Sequence, residues 1–202
     1  LVYIFIDTKI SNTMLKKILN KNLDDTFNSI TVDGDTSTSD TLMIFSLKNN
    51  NINLKKSKNL KIISEAIKEI MSNLSIQVIK DGEGISKLIE VNVVNAKTKT
   101  QASNIAFSIA NSPLVKTAVA GEDANWGRVI MAIGKTFEKI NQNKIKISFG
   151  NNLVAERGAK YQKINIKKIK KYMKNKIVKI NVSLGIGNFA KRIYGNDLTH
   201  EY

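Results

Sequence analysis

Apolar and polar positions alternate weakly over residues 1–8, a stretch rich in Ile, Val and aromatic side chains, and predict a strand. Ser11 then stands as an N-cap ahead of Met14, Leu15, Ile18 and Leu19, which share one face at helical spacing. Phe27–Val32 reads as a second strand. It runs into a polar loop, Asp33–Thr41, and the chain leaves that loop through a further strand, Leu42–Leu47. The Lys- and Asn-rich stretch Asn49–Lys61 predicts an exposed connection, and Ile62, Ile63, Ala66, Ile67 and Ile70 an amphipathic helix. The turn Asp81-Gly82-Glu83-Gly84 separates that helix from Ile85–Ala96, where Ile89, Val91 and Val93 alternate with Glu90 and Asn92 as in a half-buried strand.

Thr98 or Thr100 caps a helix through Asn111 that buries Ala102, Ile105, Ala106 and Ile109, and Pro113 suits the first turn of the element after Ser112. A Gly-punctuated stretch follows from Gly121 to Gly134. Strands recur at Lys144–Phe149 and Ile177–Leu184, with a Lys-rich helix near Ile166–Met173 between them. Helices and strands interleave without a clean βαβ repeat, so an α+β layered fold is expected rather than a doubly wound sheet. No internal repeat or interdomain linker is visible, and residues 1–202 read as a single region.

At 202 residues and 42% hydrophobic, the chain is long enough to bury a core. It has no cysteine, which excludes disulfides and thiolate metal sites. Its apolar runs are too short to span a membrane. The opening LVYIFIDTKI lacks a basic region and a small-residue cleavage site, so it reads as a strand and the chain as cytoplasmic. The net charge of +15 invites a nucleic-acid reading. However, 29 Lys against 3 Arg, beside 29 Ile and 24 Asn, is a drift that raises three residue types together. Base and phosphate recognition leans on the planar fork of Arg, so the surplus reads as solvated surface.

Several segments could carry chemistry. Lys167–Lys176 is the densest basic cluster, but Ile166, Ile169 and Met173 at helical spacing predict a core-facing stripe with lysines outside. Gly185-Ile186-Gly187-Asn188-Phe189-Ala190 matches a dinucleotide-binding fingerprint in letters only, since too few residues follow for the required helix, strand and acid. His200 is the only histidine and has no cysteine or carboxylate cluster around it, so no metal site is expected. Three segments stand apart from ordinary core and surface. Asp33–Thr41 packs three acids and five hydroxyls around one Gly. In D-G-E-G, Glu83 lies between two glycines, where backbone can approach a ligand closely. Ser112–Arg128 holds the only Trp, the only Pro and one of the three arginines, among small residues and acids.

Together these segments resemble the ornithine acetyltransferase (ArgJ) family. The stretches are S-I-T-V-D-G-D-T-S-T-S-D-T (Ser29–Thr41), D-G-E-G-I-S-K (Asp81–Lys87), S-P-L-V-K-T-A-V-A-G-E-D-A-N-W-G-R (Ser112–Arg128) and the tail D-L-T-H-E-Y (Asp197–Tyr202), in that order. The departures are Thr8 where the family tends to have Ala, and Ser39 where Asn is usual.

The resemblance implies an αββα layered sandwich of the ornithine acetyltransferase and N-terminal-nucleophile aminopeptidase type. It also implies a precursor that cuts itself before a threonine into α and β chains, usually assembled as two of each. Residues 1–202 would be the β-chain region, completed by a separate α chain. The new N-terminal threonine would take acetyl from N2-acetylornithine and pass it to glutamate, its own α-amine serving as base. Some members also accept acetyl-CoA; no cofactor is implied. Leu1 matches the third residue of the family's β chain, which places the nucleophile two positions before it. No catalytic residue is then expected within the chain. Glu83 matches a residue that contacts the substrate amino acid. The rival readings are a related N-terminal-nucleophile aminopeptidase, against which the D-G-D-T-S-T and N-W-G-R stretches argue, and a basic nucleic-acid-binding module, which would show binding that falls steeply with salt.

Overall fold

The computed structural model describes residues 1–47, 50 and 57–202, which pack as two compact units interleaved in sequence. The first comprises Leu1–Ser29 and Asp35–Val78, the second Ile30–Gly34 and Ile79–Tyr202.

In the first unit, strand β1 (Val2–Ile6) is followed by helix α1 (Asn12–Leu23), strand β2 (Leu42–Ser46) and helix α2 (Ser57–Lys80), which belongs to this unit through Val78. Ser11 caps α1 by accepting the Met14 N–H at 3.3 Å, as the sequence predicts. β1 and β2 pair in parallel, Val2 opposite Leu42 and Ile6 opposite Ser46. Period-two alternation turns Ile4 and Ile44 toward Ile18 of α1 and Ile67 and Met71 of α2. It turns Tyr3, Phe5, Met43 and Phe45 outward, where Phe5 and Phe45 stack with ring centroids 5.1 Å apart.

Three expectations change in and beside this unit. Phe27–Val32 is not a strand: Phe27–Ser29 forms a 3-10 turn and Ile30 makes only an isolated bridge to Tyr194. The Thr26 and Ser29 hydroxyls donate to the carbonyls of Asn22 and Asp24, at 2.8 and 2.6 Å, and so hold the backbone in turns. Helix α2 already includes Ser57–Lys61, within the stretch expected to be an exposed connection; residues 49 and 51–56 of that stretch lie outside the described residues. Its buried stripe is Ile67, Met71, Ser75 and Ile79, while Ile62 and Ile70, expected inside, are exposed.

The second unit holds a six-stranded mixed sheet. Strand β3 (Leu88–Ala96) is followed by helices α3 (Lys99–Ala110), α4 (Pro113–Ala120) and α5 (Trp126–Gly134). Strands β4 (Lys146–Phe149), β5 (Asn152–Glu156) and β6 (Ala159–Lys160), helix α6 (Ile166–Met173), and strands β7 (Ile177–Ser183) and β8 (Phe189–Asn196) complete it. The strand order is β6-β5-β4-β7-β3-β8. β3 runs parallel to β7 and antiparallel to β8, which makes the unit α+β and not doubly wound. Ile89, Val91 and Val93 of β3 join Val178, Ile180 and Val182 of β7 in a core with Ile105 and Ile109 of α3 and Val129 of α5. Ile169 and Met173 of the Lys-rich helix enter the same core as expected, whereas Ile166 is exposed.

The opposite sheet face is polar, because the same alternation lines up Glu90, Lys179 and Arg192. Glu90 is buried there, with Lys179 Nζ at 3.2 Å and Arg192 Nε at 3.4 Å. The G-x-G letters at Gly185–Gly187 serve the β7–β8 connection. Ile186 and Gly187 donate to Asn95 O, and a Cβ on Gly187 would lie 2.1 Å from Ala96 O.

Candidate substrate-contact turn and its polar support

Helix α2 ends at Lys80 and β3 starts at Leu88, so residues 81–87 have no ladder to satisfy their backbone. The tail supplies the partners. Asp197, only 2% exposed, accepts from Ser86 N at 2.8 Å, from Lys87 N at 2.9 Å and from the Ser86 hydroxyl. Its own N–H donates to Lys87 O at 3.0 Å. The Thr199 hydroxyl donates to Gly84 O.

The two glycines flanking Glu83 are required by this contact. Gly84 has φ +60°, and a Cβ there would meet the backbone of Glu201 at 2.5 Å. A Cβ on Gly82 would lie 2.6 Å from Asn196 Nδ2. Glu83 itself is exposed, and no described residue engages its carboxylate.

Two buried lysines hold this arrangement. Lys116 Nζ donates to Asn196 Oδ1 at 2.9 Å and to Val32 O. Burial lowers its pKa from the ordinary 10.5, while the nearby Asp33 and Asp197 carboxylates pull it upward. Lys87 Nζ donates to Met173 O at 2.7 Å and pairs with Glu122 at 3.1 Å. Glu122 sits at φ +59°, one residue past the Gly121 cap of α4. Its N–H bonds Val119 O and that of Asp123 bonds Ala118 O, the double closure that usually places Gly at this position.

The Ser112–Arg128 motif is otherwise a set of caps. Ser112 caps α4, with Pro113 in its first turn, as the sequence predicts. Asn125 caps α5 by accepting Arg128 N at 3.1 Å, and its amide donates to Asp123 at 2.9 Å. Arg128 Nη1 bonds Leu114 O at 2.7 Å and the Thr117 hydroxyl at 3.1 Å. Beside them a cleft of 330 Å³ opens between Glu122, Asp123, Trp126, Ile164, Lys160 and Lys170.

The structure therefore brings D-G-E-G-I-S-K, the lysine of S-P-L-V-K-T and the D-L-T tail into one network. Asp35–Thr41 belongs to the other unit, where Ser37 N bonds Asp40 at 3.1 Å. His200 is exposed in the tail turn. The contributors that sequence reasoning passed over are Asp197, Asn196 and Lys116. Their signal was a charged or amide side chain inside a motif with no evident surface role, and burial alone made it decisive. Among the described residues no group of three or more His, Cys, Asp or Glu side chains could hold a metal, and no helix is long and apolar enough to cross a membrane.

The ArgJ family model matches residues 1–202, the whole chain. The chain belongs to the ArgJ family. The arginine biosynthesis bifunctional protein ArgJ of Bradyrhizobium diazoefficiens is 45% identical over 208 residues, covering 100% of this chain and 50% of that protein. Its counterpart from Bartonella henselae is 43% identical over 205 residues, with the same coverage. The chain thus spans about half the length of the curated relatives it matches. The crystal structure of the Bacillus halodurans arginine biosynthesis bifunctional protein ArgJ superposes with a TM-score of 0.90 at 35% identity, over 100% of this chain and 95% of that one. That agreement carries the family's α+β fold to this chain, as the motifs imply.

Proposed function

We propose that residues 1–202 are the β portion of an ornithine acetyltransferase that moves acetyl from N2-acetylornithine to glutamate in arginine biosynthesis. In this reading a threonine hydroxyl outside these residues attacks the acetyl carbonyl. A C–O bond forms, the amide C–N bond breaks, and the hydroxyl proton leaves with the ornithine α-amine. The glutamate amine then attacks the acetyl ester, forming the new amide and returning a proton to the threonine oxygen. An α portion of the same precursor supplies the rest of the site.

Glu83 carries the reading. Its carboxylate is exposed and unengaged on a turn whose backbone is tied down by four bonds to Asp197 and Thr199. A carboxylate that held its own turn together would be spent on local donors, and this one is free to meet a ligand. Both substrates offer it a partner: an amide N–H or α-ammonium, and in ornithine a side-chain ammonium. A charge-assisted bond of this kind contributes about 1.5–3 kcal/mol. Glu83→Ala in the complete, processed enzyme should accordingly lower kcat/KM for acetylornithine about 10- to 150-fold. Precursor cleavage should continue, since Glu83 acts on substrate. A variant within twofold of wild type would remove Glu83 from the substrate site.

A further inference from the structure

Resting on the reading of Glu83 as a substrate contact, we propose that Asp197 and Thr199 are positioning residues that set the place of the Glu83 carboxylate. The turn has no ladder of its own, and four of its backbone groups, Gly84 O, Ser86 N, Lys87 N and Lys87 O, find their partners on these two tail residues. Asp197 suits this role chemically. An ionised carboxylate is acceptor-only, and here it faces three donors at once. An asparagine there would lose the charge that strengthens these bonds and would force the Ser86 hydroxyl to accept from an amide N–H₂ instead of donating.

The fit is enforced sterically. Gly84 leaves no room for a Cβ against the Glu201 backbone, and Gly82 none against Asn196. Lys116, through the Asn196 side chain that lies against Gly82, fixes the tail beside the turn. Tail and turn therefore move together, and loosening the tail displaces Glu83 without touching it. Displacements of about 1 Å in a positioned group can cost about 100-fold in rate.

The test is a double-mutant cycle in the complete, processed enzyme, with N2-acetylornithine as varied substrate. Asp197→Asn should lower kcat/KM at least 10-fold, mainly through KM. In a Glu83→Ala background the same change should cost less than about twofold, because there is no longer a carboxylate to position. Thr199→Val, which removes one hydroxyl bond, gives a milder version of the same pattern should Asp197→Asn fail to fold. Thr199→Ser should restore wild-type KM. Equal losses in both backgrounds would overturn the proposal by showing that the tail only stabilises the fold; so would a silent Asp197→Asn or Thr199→Val beside an impaired Glu83→Ala. If Glu83→Ala is itself silent, the substrate reading falls first and the positioning role falls with it.

Discussion

Glu122 adopts a left-handed backbone conformation, φ +59°, at a helix end where glycine is the usual occupant. A side chain there costs about 1–2 kcal/mol, and its carboxylate is used to pair the buried Lys87. The two contributions separate by mutation. Glu122→Ala loses the ion pair and keeps the strain, whereas Glu122→Gly loses both. Glu122→Gly should therefore unfold about 1 kcal/mol later than Glu122→Ala by chemical denaturation, and the reverse order would mean that the turn is unstrained. Lys116 gives a pH prediction. Burial lowers its folded-state pKa below 10.5, so at any pH under that lowered value the ammonium is charged in both states and its desolvation cost is present in full. As pH rises from the folded pKa toward 10.5, the unfolded chain holds the extra proton and stability increases. Compared with Lys116→Met, the wild type should gain stability over that alkaline window. A flat difference between the two denaturation curves would contradict the burial assigned to this group.

Among the elements, the β1–β2 pair is the least self-sufficient. Parallel strands are found almost entirely in sheets covered on both faces, and only one face of this pair is covered within its unit. Tyr3, Phe5, Met43 and Phe45 lie bare on the other. Contiguous apolar surface of this kind marks an interface, and we propose the α portion as its occupant. Placing Lys at both Phe5 and Phe45 should abolish co-purification of the α portion with this chain, while reducing dye binding by the isolated chain. Undiminished co-purification would move the interface elsewhere. Element prediction succeeded where a side-chain signal was local. Ser11 caps α1 as expected, Thr98 rather than Thr100 caps α3, and Pro113 opens α4 where it was expected. It failed where partners were distant. Phe27–Val32 has the residues of a strand, but it forms no ladder beyond the isolated bridge of Ile30 to Tyr194, and the glycines of Gly121–Gly134 concealed α5, whose cap is Asn125.

For the molecule as a whole, residues 1–202 by themselves should transfer no acetyl from N2-acetylornithine to glutamate, because the proposed threonine nucleophile lies outside these residues. Transfer should appear in the complete, processed enzyme, and transfer by these residues alone would overturn that reading. Its +15 charge leaves that expectation untouched, since the lysines of α6 flank a helix whose Ile169 and Met173 are buried in the core.

The family and the existence of most elements were legible in the sequence, because motifs and caps are read from neighbours a few residues apart. So was Glu83 as a candidate, since two flanking glycines announce a close backbone approach. Only the tertiary structure decided what approaches. The Glu201 backbone fills the space denied to a Cβ on Gly84, and Asp197 meets Ser86 and Lys87 from more than a hundred positions away. A buried charge and a surface charge are the same letter in a sequence. What separates Lys116 from the many solvated lysines is desolvation by surrounding atoms, which exists only once distant segments have packed.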